Sequence, residues 1–307
     1  MTRTAPETAP SVAADSLESA LRRGQAVLGE AGVEAPRRDA RLLLAAALGL
    51  EPGALIVVGD RGLSETERRY FDDMIERRAR REPVSRILGR REFWSLDFAI
   101  APATLDPRPD SETLVEAVLA RIADPDAPRR VLDLGTGSGN LLLTVLSGLP
   151  GAWGLGLDRD PAALAVAAEN ARRLGLADRT AFVAGDWGTA LTGPWDVLLC
   201  NPPYVRSDEI DALAPEVARF EPRAALDGGA DGLATYRRVV PEAARLLAPD
   251  GLAAIELGAG QADAVAALAR ESGLVPLQCL PDLAGIRRCW LFGPPAGPAI
   301  DLRREKK

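Results

Sequence analysis

The chain has 307 residues, of which 47% are hydrophobic and 26% charged, a balance typical of a folded globular protein. Its net charge of −7 disfavours non-specific binding to nucleic acid, which usually needs a basic face. The absence of histidine excludes Ser-His-Asp and Cys-His catalysis and most catalytic zinc sites. No apolar run approaches the roughly 20 residues of a membrane-spanning helix.

The three cysteines, Cys200, Cys279 and Cys289, are odd in number, far apart and set in apolar runs. This pattern favours a reducing compartment, and hence the cytoplasm, over a disulfide framework or a metal site. Cys200 lies beside an unusual turn and could be a nucleophile, but a small buried apolar side chain is the favoured interpretation.

The first part of the chain predicts a small helical domain over residues 16–88, between a flexible tail at 1–15 and the sheet-forming region. The tail lacks the apolar core of a signal peptide. The run "RRDARLLLAAALGL" is rich in helix formers and closes near Gly49. Ser64 and Glu67 form a capping box ahead of apolar residues at helical spacing.

Residues 89–110 predict a β-hairpin and a linker. In "EFWSLDFAI" the residues alternate between the two faces of an extended chain, a period that indicates strand structure. A proline-stiffened connector, "APATLDPRPDSE", follows. We expect Asp110 or Ser111 to cap the next helix.

Residues 111–293 predict an α/β domain, because strand and helix patterns alternate from residue 129 onward. Such alternation indicates a largely parallel sheet with helices on both faces and ligands at the carboxyl ends of its strands. The predicted strands are "RVLDLG", "AWGLGLD", "TAFVAGD", "WDVLLCN", "LAAIEL", "LVPLQCL" and "RCWLF". Residues 294–307 are expected to form a second flexible tail.

A glycine loop follows the first of these strands, with Gly135, Gly137 and Gly139 in the spacing GxGxG. The dinucleotide fingerprint GxGxxG would need a glycine at position 140, where the chain has Asn140, and no P-loop lysine follows. The loop therefore predicts close approach of a ligand without a bound pyrophosphate.

The next two strand ends complete a predicted nucleoside site. Asp158 ends the second strand, where a carboxylate can accept both hydroxyls of a ribose. Asp186 and Trp187 end the third, where a polar group can bind an adenine amine and an indole can stack. S-adenosylmethionine contains a nucleoside and no diphosphate, so it fits this site, and we predict it as the cofactor.

The fourth strand runs into Asn201-Pro202-Pro203-Tyr204, where two prolines supply no backbone N–H. The Asn201 side-chain oxygen and the Pro202 carbonyl can accept both N–H bonds of a planar amide or amine, and Tyr204 can stack on it. Such acceptors favour the electron-rich nitrogen that develops during methyl transfer. Asn201, Pro202 and Tyr204 are therefore the predicted catalytic residues, and Asn201 to Tyr204, Pro203 included, the predicted substrate-binding segment.

These residues resemble the class I methyltransferases, and within them the amino-methyltransferases with the Asn-Pro-Pro-Tyr motif. An ordered series of motifs over residues 16–293 is more closely similar to the PrmC/HemK family, which methylates the glutamine amide in the Gly-Gly-Gln motif of peptide-chain release factors. The series includes "PVSRILGRREFWSLDF", "PRPDSETLVE", "DLGTGSGN", "GDWGTAL", "NPPYVRSDE", "FEPRAALDGGADGL" and "DLAGIRR". One departure is Asp106, where the family usually has an aliphatic residue.

The resemblance implies a Rossmann-like seven-stranded class I methyltransferase sheet, joined by the hairpin to a helical domain that helps to grip the release factor. It implies that glutamine is held by Asn201 to Tyr204, with Phe93 and Arg108 as wall residues. It implies no metal, and contacts to S-adenosylmethionine from Gly135, Thr136, Gly137, Ser138, Gly139, Asp158, Trp187 and Asn201.

Two alternatives stay open. The same Asn-Pro-Pro-Tyr geometry serves the amine of a flipped adenine in DNA or RNA, but we find neither a basic groove nor a target-recognition region in the sequence. A non-catalytic scaffold that binds S-adenosylmethionine is disfavoured by the intact motif at Asn201. The favoured prediction is a monomeric enzyme that acts on release factors, without direct contact to nucleic acid or membrane.

Overall fold

The computed structural model describes residues 16–58 and 61–294 of the chain. Both predicted tails lie outside the described residues, apart from Pro294. The chain divides into two compact units, Met1–Leu88 and Gly89–Lys307. Among the helices of the described ranges, none has the length and apolarity needed to cross a membrane.

The first unit is helical. Its described helices are α1 (Leu17–Glu30), α2 (Pro36–Ala47), α3 (Leu55–Val58), α4 (Glu65–Ala79) and α5 (Val84–Leu88). The predicted end of α2 is confirmed, because the helix stops one residue before Leu48 and Gly49 follows at a φ of 64°. The capping box is also confirmed, since Ser64 and Glu67 bond reciprocally at the start of α4.

The second unit begins with a two-stranded hairpin, β1 (Arg90–Phe93) and β2 (Leu96–Ala99). Trp94 and Ser95 form its turn with φ values of 53° and 59°, so the turn interrupts the alternation seen in the sequence. Phe93 is 1% exposed, with its ring edge-on to Phe98 at 6.2 Å. The structure thus places Phe93 in the core, which corrects the expectation of a wall residue.

A sheet of seven strands follows in the order β5-β4-β3-β6-β7-β9-β8. Strand β9 pairs antiparallel with both β7 and β8, and the other pairs are parallel. Its strands are β3 (Arg129–Leu134), β4 (Ala152–Asp158), β5 (Thr180–Ala184), β6 (Trp195–Cys200), β7 (Leu247–Glu256), β8 (Val275–Pro281) and β9 (Arg287–Gly293). The described helices of this unit are α6 (Glu112–Leu119), α7 (Asn140–Gly148), α8 (Pro161–Arg173), α9 (Pro215–Ala218), α10 (Tyr236–Leu246) and α11 (Ala262–Glu271). The predicted Rossmann-like sheet is confirmed.

Apolar cores cover both faces of this sheet because strand residues alternate in direction. In the register between β3 and β6, Val131 pairs with Val197 and Leu132 with Leu198. The valine pair belongs to one core and the leucine pair to the other. Cys200 is fully buried in the second core, and burial raises the pKa of its thiol well above the ordinary value. This environment supports its interpretation as an apolar core residue.

The strand order creates a switch point at the centre of the sheet. From β3 the chain moves outward to β4 and β5, whereas from β6 it moves in the opposite direction to β7. The carboxyl ends of β3 and β6 therefore border the crevice where open α/β sheets bind ligands. The glycine loop follows β3 and the Asn201 motif follows β6.

Candidate active site

The glycine loop between β3 and α7 has a backbone that only glycine adopts easily. Gly135, Gly137 and Gly139 have φ values of 76°, 55° and 79°. A Cβ on Gly135 would lie 3.2 Å from Cζ3 of Trp187, so a larger residue would push the indole away. The loop backbone and the Trp187 ring therefore approach each other closely.

Asp158, the last residue of β4, also holds the glycine loop in place. Its Oδ2 accepts a hydrogen bond from the Gly137 amide at 2.9 Å, and its Oδ1 accepts one from the Asp160 amide at 2.9 Å. Each carboxylate oxygen retains a further lone pair. Asp158 is half-buried and lines a cavity beside the loop. The sequence predicted a ligand contact here but gave no sign of the bond to the loop.

Asp186 and Trp187 follow β5 after one intervening residue and line the same cavity. Trp187 has a φ of 54°, in the left-handed region that few residues other than glycine occupy. The Asp186 carboxylate forms an ion pair with Arg238. Trp187 thus lines the cavity from a residue with an uncommon backbone conformation. The carboxylate of Asp186 already has Arg238 as its cationic partner.

The strand ends together enclose a space that we call the first cavity. Of the residues that the sequence assigns to the cofactor, most line it: Gly135, Thr136, Gly137, Ser138, Asp158, Trp187 and Asn201. Gly139 packs instead toward Leu143 and Ala167, where an added Cβ would lie 3.1 and 3.2 Å from their side chains. Gly139 therefore packs against α7 and α8 and does not line the first cavity.

The charged side chains that line the first cavity are predominantly acidic. They are Asp158, Asp160 and Asp186, with Arg159 as the cation among the lining residues of the described chain. Because Asp186 is paired with Arg238, the other lining charges, two carboxylates and one guanidinium, leave the cavity slightly negative. This charge disfavours a diphosphate more than a ligand with cationic groups.

A second cavity lies on the other side of the Asn201 motif. Its lining includes Arg108, Pro202, Tyr204, Glu256 and Arg288. Pro203 lines the first cavity instead. Three residues line both cavities: Leu105, Asn201 and Ala225. Asn201 therefore stands in the wall that the two cavities share.

Two residues that the sequence reasoning did not assign to the site, Ser111 and Glu256, lie against the motif. The Ser111 hydroxyl donates to Oε2 of Glu256, and the Tyr204 hydroxyl donates to Oε1 at 3.3 Å. Of the two predicted cap residues, Asp110 and Ser111, it is Ser111 that occupies the N-cap position of α6, but its side chain makes no capping hydrogen bond to the helix. The available signal for Glu256 was an acidic residue at the end of an otherwise apolar strand.

Burial sets the charge state of this cluster. Glu256 is 2% exposed, and burial raises the pKa of its carboxyl to about 7 although Ser111 and Tyr204 donate to it. Burial likewise raises the pKa of the Tyr204 phenol, and the nearby Glu256 charge raises it further. Tyr204 therefore stays a neutral hydrogen-bond donor at neutral pH, while Glu256 titrates close to it.

A second buried carboxyl group, that of Asp133, lies under the glycine loop. Its Oδ2 accepts a hydrogen bond from the Thr136 hydroxyl at 2.7 Å. Burial raises the pKa of Asp133 to about 7, with a further contribution from the charge of Asp158. Asp133 and Thr136 thus tie the end of β3 to the loop that follows it.

Arg108 lines the second cavity, in agreement with its implied place as a wall residue. Its guanidinium donates to Oε1 of Glu221 at 2.9 Å, and Oε2 of Glu221 accepts from the Asp106 amide at 3.1 Å. The Asp106 side chain, which departs from the family pattern, lies 3.9 Å from the Arg91 guanidinium. An acidic residue is thus accommodated at this position by a nearby cation.

The fold and the site define a methyltransferase domain. The family profile described as "Methyltransferase domain" matches residues 125–274, and the one described as "PrmC N-terminal domain" matches residues 19–89. Several curated relatives carry the name release factor glutamine methyltransferase. The one from Rhodospirillum rubrum is 53% identical over 271 residues, covering 88% of this chain and 83% of that protein. The one from Bradyrhizobium diazoefficiens is 47% identical, covering 89% and 93%. The chain belongs to the release factor glutamine methyltransferase family.

A solved structure shows a similar fold at much lower sequence identity. The hMettl16 catalytic domain, solved in complex with a 3′UTR hairpin, superposes with a TM-score of 0.53 and 19% identity, covering 72% of this chain and 82% of that one. At this identity the similarity concerns the architecture of the sheet and its helices.

Proposed function

We propose that this protein transfers the methyl group of S-adenosylmethionine to the side-chain amide nitrogen of the glutamine in the Gly-Gly-Gln motif of peptide chain release factors. The proposal depends above all on the position of Asn201 in the wall shared by the two cavities. A cofactor on one side and a glutamine on the other would meet at this residue. The names of the relatives support a release-factor substrate.

S-adenosylmethionine fits the first cavity by charge and by the groups that line it. The spare lone pairs of Asp158 can accept the ribose hydroxyls, and Trp187 offers an aromatic face to the adenine. The acidic lining suits a cofactor that carries a sulfonium and an ammonium group. When bound, the cofactor supplies an electrophilic methyl carbon.

The residues of the motif would prepare the nucleophile. Oδ1 of Asn201 and the carbonyl of Pro202 would accept the two N–H bonds of the substrate amide, and Tyr204 would stack on its plane. As the nitrogen attacks, its positive charge grows and both acceptors bind it more strongly, which stabilises the transition state by about 3 kcal/mol. After transfer, which leaves the methyl donor as a neutral thioether, the nitrogen would release its extra proton to solvent. No metal ion is needed, because alignment and acceptors are the main requirements.

The helical first unit is proposed to help grip the release factor. Its α2 carries Arg37, Arg38 and Arg41 around a groove that also includes Leu42 and Gly53. This arginine-lined groove, which the sequence did not reveal, suits an acidic surface of a partner protein. We further propose a monomer in the cytoplasm, where release factors act, with no direct contact to nucleic acid.

The test is to incubate the purified protein with a release factor and S-adenosylmethionine and to locate added methyl groups by peptide mass spectrometry. One methyl group on the glutamine of the Gly-Gly-Gln motif is expected, and none when that glutamine is replaced by alanine. Duplex DNA and RNA with accessible adenines serve as competing substrates. Methylation of adenine without methylation of the release factor would overturn the proposal.

A further inference from the structure

The paired strands β6 and β7 bring Asn201 and Glu256 side by side. Cys200, the last residue of β6, and Ile255 are partners in this parallel pair. The residues that follow them are Asn201, just past the end of β6, and Glu256, the last residue of β7. Both therefore leave the carboxyl edge of the sheet at neighbouring positions. Ser111, immediately before α6, lies between their side chains, since it forms hydrogen bonds with both.

The hydrogen bonds of Ser111 have a fixed direction when Glu256 is ionised. A carboxylate only accepts, so the single hydroxyl hydrogen of Ser111 must point to Oε2 of Glu256. The serine oxygen can then only accept on its other side, where Nδ2 of Asn201 donates at 3.3 Å. If the Asn201 amide were flipped, its Oδ1 would face the Ser111 oxygen with no hydrogen between the two atoms. The hydrogen bond from Nδ2 therefore keeps Oδ1 of Asn201 on the side away from Ser111.

The other oxygen of Glu256 orients the second arm of the motif. Oε1 accepts from the Tyr204 hydroxyl at 3.3 Å. The main chain of Glu256 is itself anchored, because its carbonyl accepts from the Tyr236 hydroxyl at 3.0 Å. One buried carboxylate on a fixed backbone thus contacts Tyr204 directly and reaches Asn201 through Ser111.

We propose that Glu256 is a positioning residue, which acts through Ser111 to hold the Asn201 amide with Oδ1 toward the substrate and acts directly on Tyr204 to set its ring. The inference rests on the proposed function, since it concerns the same glutamine site. Glu256 needs no contact with the substrate in this role. Without Glu256 the Asn201 amide could adopt either of two flipped orientations. With Glu256 ionised, its Oδ1 has one defined orientation as an acceptor.

Protonation of Glu256 would remove this directionality. A protonated carboxyl can donate to Ser111, whose hydroxyl can then donate to Asn201 and favour the flipped amide. The wild-type kcat should therefore fall as pH decreases and Glu256 becomes protonated. Several titratable or charged groups lie near enough to Glu256 for one to shift the pKa of the other: Asp110, Cys200, Tyr204, Tyr236, Arg288 and Cys289. These groups remain in a Glu256→Gln variant, which isolates the carboxyl group itself.

The test compares Ser111→Ala and Glu256→Gln with a matched Ser272→Ala control. Ser272 donates to the Leu268 carbonyl at the end of α11, outside both cavities. For Ser111→Ala we expect kcat for release-factor methylation to fall by about 10- to 100-fold, part of the effect of losing one transition-state hydrogen bond. The dissociation constant of S-adenosylmethionine, measured by calorimetry, should change by less than about 2-fold. Ser272→Ala should match wild type in both.

The pH dependence separates positioning from a merely structural role. In Glu256→Gln the fall of kcat at acid pH should disappear, while cofactor affinity stays within about 2-fold of wild type. Loss of cofactor affinity in parallel with kcat, or an acid limb unchanged in Glu256→Gln, would overturn the inference. A wild-type protein that leaves release factors unmodified contradicts the proposed function itself. Normal wild-type methylation with an unaffected Ser111→Ala variant contradicts only the positioning role.

Discussion

Replacing Asp158 by asparagine should weaken the binding of S-adenosylmethionine by about 100-fold. Both carboxylate oxygens already accept amide hydrogens, from Gly137 and from Asp160, each at 2.9 Å. An asparagine must turn its NH2 group toward one of these two donors, so it loses at least one charge-assisted bond and weakens the other. Such bonds contribute about 1.5–3 kcal/mol each. The displaced loop and the weakened ribose contact would together cost about 3 kcal/mol of binding free energy, which corresponds to the 100-fold weaker binding.

Isothermal titration calorimetry with S-adenosylmethionine measures this effect directly. The matched control is Asp178→Asn, which makes the same change at an exposed carboxyl two residues before β5. Asp178 lies at the amino end of that strand, and it does not line the first cavity. Urea unfolding checks that both variants fold. A dissociation constant for Asp158→Asn within about 3-fold of wild type would refute both the ribose contact and the importance of the loop bond.

The remaining predictions concern stability. Gly139→Ala should lower the free energy of unfolding by about 2–4 kcal/mol, because its left-handed φ of 79° is combined with a Cβ contact of 3.1 Å to Leu143. Gly175→Ala, with a φ of 70° and open space around the Cβ, should lose only about 1 kcal/mol in the same urea titration, and equal losses would contradict the steric term. Burial raises the folded pKa of Glu256 from 4.5 to about 7, so the folded state binds more protons in that window and loses stability as pH rises through it. The stability of wild type relative to Glu256→Gln should therefore decline from about pH 5 to about pH 8, and a difference that is constant with pH would contradict this assignment.

Local patterns were sufficient to predict much of the fold. The strands of the sheet follow from short apolar runs, and the glycine loop follows from spacing within five residues of sequence. The helix start at Asp160, where the side chain accepts from the Ala162 amide, is equally local. These features depend on backbone preferences that neighbouring residues impose on one another. The candidate cofactor site could be outlined for the same reason, since parallel strands end at a common edge.

Other features depend on contacts between distant parts of the chain. Ser111 reaches Glu256 across 145 residues of sequence and Asn201 across 90. A serine before a helix is ordinarily a cap, and tertiary contact with a buried carboxylate overrides that local preference. The assignment of Phe93 failed similarly, because its ring packs edge-on against Phe98 of the paired strand in the core. Sequence spacing could not indicate which side of the hairpin would be covered.

The single-turnover rate of methyl transfer to a release factor by Asn201→Ala, at saturating S-adenosylmethionine, tests most directly whether an oxygen pair activates the substrate nitrogen. Removing one of the two acceptors should reduce this rate by about 100- to 1,000-fold, with the product still on the glutamine of the Gly-Gly-Gln motif. A rate equal to that of wild type would show that Asn201 does not hold the reacting nitrogen.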